Sequence, residues 1–476
     1  MYMQKVFSQF CCGRTHAEEK DAEETGTGDK RMNSFNGTLD IYLASAGTGK
    51  THTLMDIIDG HLKDGVPIER IAFVTFTKKG AEVAQLRTAE RFGFDLKRLK
   101  NFRTIHSLAF RGCGASRNMM MDFAKYKDFG EKAGYNFGTL GLDTTEGVDW
   151  NEMHDQQLVT IEQLYRNNKQ YCEKIMDDRV DYSELSRYLQ LYKRYKDTFG
   201  YCDFTDLLEQ YVAKGLIEDV DIVCLDEMQD SSPLQWQLVF QAFSKAKHIY
   251  AAGDIKQAVF TYAGASCDTL LKLRGTQHML ELSYRVPSRI LTFAQNIVDA
   301  MHVTDHSHCK SVTEGGVVKE ITTIDELAEE FDTSKSYFFL ARNKKFFKYY
   351  EDWCQQNGLP YSVKGVPYFS DAEKIEFREG QTDDWDTNKL DFARYCYKRG
   401  TFYNGPRINI STIHTVKGDE ADVVVLMSDI SKAVASQLDF DEDSEHRVFY
   451  VACTRAKEKL IIVQPQTRLY YPYIIQ

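Results

Sequence analysis

Short runs of apolar and β-branched residues recur along the 476-residue chain, with longer amphipathic segments between them. Most of the runs are continuously apolar rather than alternating, which is typical of strands that are buried on both faces of a parallel sheet. Because helical patterns lie between them, the sequence predicts an α/β fold with parallel sheets. The runs lie at residues 39–43, 71–76, 220–225, 248–252, 317–321, 337–341, 408–412, 422–427 and 459–463.

The spacing of these runs also predicts how the chain is divided. Residues 104–205 lack a clear strand, and one face of the segment 184–199 carries Leu185, Tyr188, Leu189, Tyr192 and Tyr195 at helical spacing. A second set of strands begins after residue 315. We therefore expect these parts: a flexible N-terminal extension (1–35), a first lobe in two pieces (36–106 and 203–283), a helical accessory subdomain between them (107–202), and a second lobe (284–476) with a small insertion near 355–406.

Composition limits the functional classes. The chain has 59 Lys and Arg against 70 Asp and Glu, a net charge of −11, which taken alone argues against binding to a polyanion such as DNA. Its eleven cysteines form no Cys-x-x-Cys pair and are typical of reduced thiols. We find neither a signal peptide nor a long apolar span. These features predict a cytoplasmic protein, or one inside a host cell if it is viral.

A phosphate-binding loop follows the first predicted strand. Residues 44–51 read ASAGTGKT and precede a helical pattern. Glycines allow the backbone to curl so that successive N–H groups point at phosphate oxygens, while the lysine reaches the β- and γ-phosphates and the threonine hydroxyl binds Mg²⁺. The sequence therefore predicts ATP and Mg²⁺ as cofactors, bound by Ala46, Gly47, Thr48, Gly49, Lys50 and Thr51.

Acidic residues at the end of another strand complete the predicted nucleotide site. The apolar run 220–225 leads into Asp226 and Glu227. A carboxylate in this position can hold Mg²⁺ opposite Thr51, and its neighbour can act as the general base for the attacking water. Gln257, which follows the next strand, is placed to sense the γ-phosphate.

Eight segments, in this order along the chain, resemble the conserved boxes of superfamily 1 helicases of the UvrD/Rep type. The resemblance covers most of residues 39–465 and implies two RecA-like P-loop lobes. The segments are VTFTKKGA (74–81), TIHSLA (104–109), DFTDLL (203–208), LDEMQD (225–230), GDIKQAVFTYAGA (253–265), LSYR (282–285), STIHTVKGDE (411–420) and FYVACTRAK (449–457).

The resemblance implies roles for further residues. Arg285 and Arg455 match the arginine fingers that reach the γ-phosphate, Tyr284 the residue that stacks on adenine, and Glu420 the residue that binds ribose. The implied activity is ATP-driven movement along single-stranded DNA, with 3′→5′ polarity, and duplex unwinding in repair, recombination or replication. The implied partners are single-stranded and forked DNA and replication or repair proteins, and the implied state is a monomer. The resemblance also implies DNA contacts by the residues that fall in the corresponding boxes, namely Phe76, Thr77, His106, Phe204, Tyr262, Thr412 and His414.

Departures from the family pattern leave alternatives open. No glutamine lies between Phe10 and Lys50 to read adenine, so strictness for ATP is open, and residues 286–410 leave little room for a second accessory subdomain. A translocase without unwinding activity and a nucleotide-gated DNA-binding subunit remain alternatives, as does RNA as the track.

The acidic net charge is compatible with DNA binding if the positive and negative residues lie in different parts of the protein. Cations flank the expected track at Lys78, Lys79, Arg103, Arg342, Lys344 and Lys345, and acidic clusters lie elsewhere, at 18–24 and 439–445.

Overall fold

The computed structural model describes residues 35–137, 155–175, 182–302 and 308–475. Packing divides the described chain into two units. The first holds the residues up to 280 except 45–48, and the second holds 45–48 and the residues from 281 onward. The residues before 35, which include most of the expected N-terminal extension and the acidic cluster at 18–24, lie outside the described part.

The first unit is built on a six-stranded parallel sheet in the order β3-β2-β4-β5-β1-β6. Strands β2 and β4 are buried along their whole length, as their continuous apolar sequence requires. The strands are β1 Thr38–Leu43, β2 Ile71–Thr75, β3 Phe102–Thr104, β4 Ile222–Asp226, β5 His248–Gly253 and β6 Thr276–Met279.

Helices of the first unit either flank the sheet or form the long excursion between β3 and β4. The helices before the excursion are α1 Lys50–Lys63 and α2 Lys78–Phe92. In chain order the remaining helices are α3 Ile105–Gly112, α4 Phe123–Ala133, α5 Asp155–Asn167, α6 Lys169–Ile175, α7 Tyr182–Phe199, α8 Phe204–Ala213, α9 Pro233–Ala242 and α10 Asp268–Lys272.

The excursion has its own aromatic core, as the helical pattern predicts. The five residues of the predicted face on α7 (Leu185, Tyr188, Leu189, Tyr192 and Tyr195) are all buried and share one cluster. Rings stack within it, such as Tyr188 on Tyr192 with centroids 5.6 Å apart. The helical character and the buried face are therefore confirmed, whereas the bounds 107–202 of a separate subdomain stay a prediction.

The second unit contains a seven-stranded sheet in the order β12-β11-β13-β10-β14-β15-β9, in which only β12 runs antiparallel to its neighbour. A separate pair is formed by β7 Leu282–Ser283 and β8 Lys310–Ser311. The strands of the main sheet are β9 Val317–Ile321, β10 Tyr337–Ala341, β11 Tyr361–Val363, β12 Val366–Pro367, β13 Ile408–Thr412, β14 Ala421–Met427 and β15 Ala456–Val463. The helices are α11 Ser288–Asp299, α12 Phe347–Gln356, α13 Asp371–Glu379, α14 Thr387–Lys398, α15 Lys432–Leu438 and α16 Glu442–Cys453.

Residues 355–406, expected to be a poorly patterned insertion, contain regular structure. Helix α13 begins at a capping box in which Ser370 and Glu373 bond each other's backbone N–H groups. Phe369, Phe392 and Phe402 from this region belong to the core of the second unit. The segment is therefore continuous with that core.

Asp422 ties three segments of the second unit together at the start of β14. Its carboxylate accepts hydrogen bonds from the backbone N–H and hydroxyl of Ser336, at 2.9 and 2.8 Å, and pairs with Lys457 at 2.9 Å. Burial would raise the pKa of Asp422, but these partners lower it to about 2. The ionised form is the one that the folded state stabilises.

The predicted α/β class is confirmed, and each of the nine apolar runs coincides with a strand to within a few residues. The prediction missed the short strands β3, β6, β7, β8, β11 and β12. In the described part of the chain, no helix combines the length and apolarity needed to cross a bilayer.

Candidate functional site

The phosphate-binding loop joins the end of β1 to the start of α1. Gly47 and Gly49 have φ values of +73° and +81°, in the left-handed region that side chains other than glycine rarely adopt. Gly49 is the N-cap of α1, whose first turn carries no acidic side chain. The loop backbone and the positive end of the helix therefore offer N–H groups to an anion, as the sequence predicts. Thr48 bonds the carbonyl of Ser45 at 3.0 Å and closes the loop.

Two side chains of α1 meet the acidic end of β4. The hydroxyl of Thr51 donates to Asp226 Oδ2 at 2.8 Å, and Lys50 Nζ lies 3.6 Å from Glu227 Oε1. Asp226 is only 4% exposed. Burial and the neighbouring Glu227 raise the pKa of Asp226 to about 6, so its carboxylate favours a cationic partner.

The donor set fits a magnesium ion. Mg²⁺ prefers oxygen ligands and is usually bound by one or two protein groups together with substrate phosphates and water. Thr51 Oγ1 and Asp226 Oδ2 are two such oxygens, already adjacent, at the base of the phosphate-binding loop. Because the buried carboxylate is costly to ionise without compensation, a cation beside it would be stabilising.

A hydrogen-bonded chain connects Glu227 to Gln257. Gln229 is fully buried; its amide nitrogen donates to Glu227, and its amide oxygen accepts the backbone N–H of Asp254 at 3.0 Å. Asp254 in turn accepts from the side chain of Gln257. Gln229 was not identified from the sequence, although it lies in the segment LDEMQD. Glu227 itself has a φ of +56°.

Aromatic side chains gather in the loops after β2 and β5. Phe76 stacks on Phe260 with ring centroids 5.1 Å apart, and Phe260 meets Tyr262 edge-on at 6.0 Å. All three rings are partly exposed. Both loops follow the carboxyl ends of parallel strands, so they lie at the same edge of the sheet as the phosphate-binding loop. Phe260 was missed because an aromatic residue in an apolar run usually belongs to a core.

A second aromatic pair is formed by His106, in the first turn of α3, and Phe204, at the start of α8. Their rings meet edge-on with centroids 5.5 Å apart. Phe204 is 56% exposed although the residues on either side of it are buried. Burial lowers the pKa of His106 to about 4, so its imidazole is neutral at physiological pH.

Thr77 is the N-cap residue of α2. Its hydroxyl accepts the N–H of Gly80 at 3.0 Å and caps the helix. A Cβ at position 80 would lie 2.9 Å from the same hydroxyl, so a larger residue than glycine would crowd this cap. Thr77 is exposed at the same edge of the sheet as Phe76.

The site residues predicted in the second unit differ in exposure. Arg285 Nε lies 3.9 Å from a carboxylate oxygen of Glu420, and the ring of Tyr284 is 63% exposed. Arg455 is buried, where it donates to the carbonyls of Val451 and Asp419 at 3.0 and 3.4 Å.

Thr412 and His414, predicted to contact DNA, are both buried in the second unit. The hydroxyls of Thr412 and Thr415 lie 2.9 Å apart, and Thr415 is the exposed member of this pair. Thr415, rather than Thr412, therefore presents its hydroxyl at the surface of this segment. Thr415 was not identified from the sequence.

Two of the cations expected to flank the DNA track are buried instead. Arg342 forms two bonds of 2.7 Å to the carboxylate of Glu445, and both side chains are almost inaccessible. Arg103 is also buried. Lys78 and Lys79 are exposed beside Phe76, as expected. The expectation was therefore wrong for Arg103 and Arg342. Glu445, from the acidic cluster at 439–445, belongs to an internal ion pair.

Comparisons with known proteins identify the family of the chain. The sequence matches the UvrD/REP helicase N-terminal domain over residues 28–278 and the UvrD-like helicase C-terminal domain over residues 397–467. A probable DNA helicase of Mycoplasma pneumoniae is 23% identical over 92% of this chain and 82% of its own length.

Two further relatives are longer than this chain. The ATP-dependent DNA helicase Rep of Escherichia coli is 23% identical over 71% of the chain and 54% of its own length. The ATP-dependent DNA helicase PcrA of Leuconostoc citreum is 24% identical over 70% of the chain and 49% of its own length. The chain thus spans about half of these two relatives. Because the first match alone covers more than half of the sequence, the chain belongs to the UvrD/REP helicase family.

Proposed function

We propose that this chain is an ATP-driven motor that moves along single-stranded DNA and unwinds duplex DNA, with 3′→5′ polarity. The observation that carries the proposal is the meeting of Lys50 and Thr51 with Glu227 and Asp226 at the phosphate-binding loop. A protein that only binds nucleotide has no need of the second carboxylate. Membership of the family supports the same activity, and we propose roles in repair, recombination or replication.

The residues of the first unit suggest how hydrolysis proceeds. The loop N–H groups and Lys50 would bind the β- and γ-phosphates, while Thr51 and Asp226 would hold Mg²⁺. The bound ion would neutralise charge that develops on the phosphate oxygens. Glu227 would then accept a proton from the attacking water. Gln229 fixes the orientation of that carboxylate and connects it to Asp254, which bonds Gln257.

Residues of the second unit would supply the remaining contacts to nucleotide. Arg285 and Arg455 are proposed to stabilise the transition state, a contribution of roughly 10³–10⁵ in rate for an arginine finger. Tyr284, with its exposed ring, is proposed to stack on the base, and Glu420 to bind the ribose. Stacking on Tyr284 does not discriminate strongly between bases, so we expect the motor to accept other purine triphosphates.

The aromatic side chains of the first unit suit a single-stranded track. Stacking of a base on an aromatic ring contributes about 1–3 kcal/mol and tolerates any sequence. Phe76, Phe260 and Tyr262 form one group of rings and His106 and Phe204 another, with the hydroxyl of Thr77 and two lysines beside the first. A motor must release the strand in each cycle, so a grip through stacking with few phosphate contacts is appropriate.

An ATPase assay with single-stranded DNA, with RNA and without polymer tests the proposal. We expect DNA to stimulate hydrolysis and RNA to stimulate it less. Glu227→Gln should abolish turnover while DNA binding remains, because the amide cannot accept the proton. Glu90→Gln, at an exposed position on α2, is the matched control and should hydrolyse ATP as the wild type does. Turnover that survives in Glu227→Gln would show that another group is the base.

Forked duplexes with a 3′ or a 5′ single-stranded tail separate the helicase from the translocase. Unwinding of the 3′-tailed fork supports the proposal and its polarity. DNA-stimulated hydrolysis without unwinding of either fork would indicate a translocase, and nucleotide-dependent DNA binding without hydrolysis a gated binding subunit. One observation favours the translocase. Residues 355–406 form part of the core of the second unit, which leaves little of the chain for a second accessory subdomain.

A further inference from the structure

Two adjacent asparagines connect the helical excursion to the loops that carry the candidate site. Asn167 is the last residue of α5 and Asn168 follows it. Neither belongs to a segment that resembles the helicase boxes. Both side chains form hydrogen bonds with segments of the first unit beyond their own helix.

Asn167 bonds two segments at once. Its amide nitrogen donates to the hydroxyl of Thr205 at 3.1 Å, and its amide oxygen accepts from the hydroxyl of Ser232 at 3.1 Å. Thr205 directly follows Phe204, the exposed aromatic residue of α8. Ser232 caps α9 immediately after the turn that contains Glu227 and Gln229. One side chain therefore joins a candidate DNA contact to the hydrolytic turn.

Asn168 bonds the third segment. It is buried, and its amide nitrogen donates to the carbonyl of Gly264 at 3.1 Å. Gly264 lies two residues after Tyr262 and has a φ of +91°. A Cβ on this glycine would lie 2.9 Å from Asn167 Cβ and 3.4 Å from Asn168 Cβ. The loop that carries Tyr262 is thus packed directly against the asparagine pair.

The residue before the asparagine pair, Arg166, holds the end of α5 against the start of α8. Arg166 donates to Asp203 and Asp206, which form the capping box at the start of α8. The end of α5 and the start of α8 are therefore held together by charge-assisted bonds as well as by Asn167. A displacement of the hydrolytic turn at Ser232 would be transmitted through a contiguous network to Phe204 and Tyr262.

We propose that Asn167 and Asn168 are positioning residues that couple the hydrolytic turn to the DNA-contacting aromatic residues. The inference rests on the proposed function, since it concerns how bound DNA stimulates hydrolysis. The asparagines touch neither nucleotide nor DNA. They act by holding Ser232, Thr205 and Gly264 in one arrangement, so that a change at one aromatic ring alters the geometry of the hydrolytic turn.

The test compares hydrolysis with and without saturating oligothymidylate in the full chain. Asn167→Ala loses the bonds to Thr205 and Ser232, and Asn168→Ala loses the bond to Gly264. Each variant should reduce the stimulation factor at least about threefold to tenfold, the effect expected from loss of a single buried hydrogen bond. Hydrolysis without DNA should stay at the wild-type rate. Asn167→Asp keeps the acceptor for Ser232 and loses the donor to Thr205, so an intermediate stimulation factor is expected. Asn357→Ala removes a comparable amide-to-carbonyl bond in the second unit and is the matched control.

Thr205→Val is the variant that separates the coupling from a folding defect, because it removes one of the bonds that Asn167→Ala removes while conserving side-chain shape. Reduced stimulation in this variant supports the proposal even if an alanine variant unfolds. Wild-type stimulation in Asn167→Ala, Asn168→Ala and Thr205→Val overturns the proposal, and so does an equal loss of hydrolysis with and without DNA. If the wild type hydrolyses ATP without any response to DNA, the proposed function fails and the coupling fails with it.

Discussion

Arg166 neutralises a group of acidic side chains inside the helical excursion. Its guanidinium, 6% exposed, lies 2.6 to 3.2 Å from carboxylate oxygens of four residues, of which Glu162 and Asp203 are themselves buried. The four partners are Glu162, Asp203, Asp206 and Glu209. Replacing Arg166 with methionine would keep an apolar stem of similar length and remove all of these bonds.

The structure allows the cost to be estimated. Removing one partner of a buried ion pair typically destabilises a protein by about 3–5 kcal/mol, because the remaining charge is left uncompensated. Lys196 still pairs with Asp203 and Asp206 in the variant, so the uncompensated groups are Glu162 and Glu209. We expect Arg166→Met to lose about 3 kcal/mol of unfolding free energy near pH 8.

The loss should depend on pH. Burial raises the pKa of Glu162 to about 7, even though Arg166 opposes the rise. A carboxyl whose pKa is raised by folding is stabilising only where it is protonated, so stability is lost as pH rises from about 4.5, its unfolded pKa, through its folded pKa. Without Arg166 the folded pKa would rise further. The difference between the wild type and Arg166→Met should therefore shrink between pH 8 and pH 6.

Urea unfolding followed by far-ultraviolet circular dichroism, at pH 8 and pH 6, measures both effects. Arg187→Met is the control, because Arg187 on α7 is 54% exposed and pairs with Glu184 on the surface. An exposed pair of this kind contributes about 0–1 kcal/mol. The reasoning would be refuted if Arg166→Met lost no more stability than Arg187→Met.

Three further changes test other parts of the structure. Gln229→Leu removes the amide that orients the hydrolytic carboxylate, so kcat should fall about tenfold with little change in KM for ATP; an unchanged kcat would contradict this role. Asp422→Asn should cost about 1 kcal/mol of unfolding free energy at pH 7, a difference that narrows below pH 4 as the wild-type carboxylate protonates. Gly112→Ala places a Cβ 2.5 Å from the ring of Tyr211 and should destabilise by about 1–3 kcal/mol in thermal unfolding, whereas Gly60→Ala, with open space around it, should not destabilise.

Buried strands were predictable because burial on both faces leaves a continuous apolar run. The short strands show the limit of that signal. Strand β6 is mostly exposed and pairs only with β1, and β3 has three residues. Their pairing depends on backbone register with a distant segment, for which an isolated stretch of sequence carries no pattern. Helix α13 did have a local signal, in Ser370 and Glu373 at capping-box spacing.

Site residues were predictable where a local motif fixes the backbone. The phosphate-binding loop and the pair Asp226 and Glu227 are examples, since strand, loop and helix are contiguous in sequence. Gln229, Asn167 and Asn168 escaped prediction because their roles depend on which distant segments they meet. Arg342 shows the opposite error, since its charge suggested exposure while its partner, Glu445, lies about a hundred residues away.

The backbone of Glu227 has a consequence for how this position can evolve. A left-handed conformation costs a residue with a side chain roughly 1–2 kcal/mol, and glycine would adopt it without that penalty. Substitution by glycine would relieve this backbone cost, but it would also remove the carboxylate that we propose as the general base and that accepts the buried amide of Gln229. The backbone conformation and the proposed chemistry therefore make opposite demands on this residue.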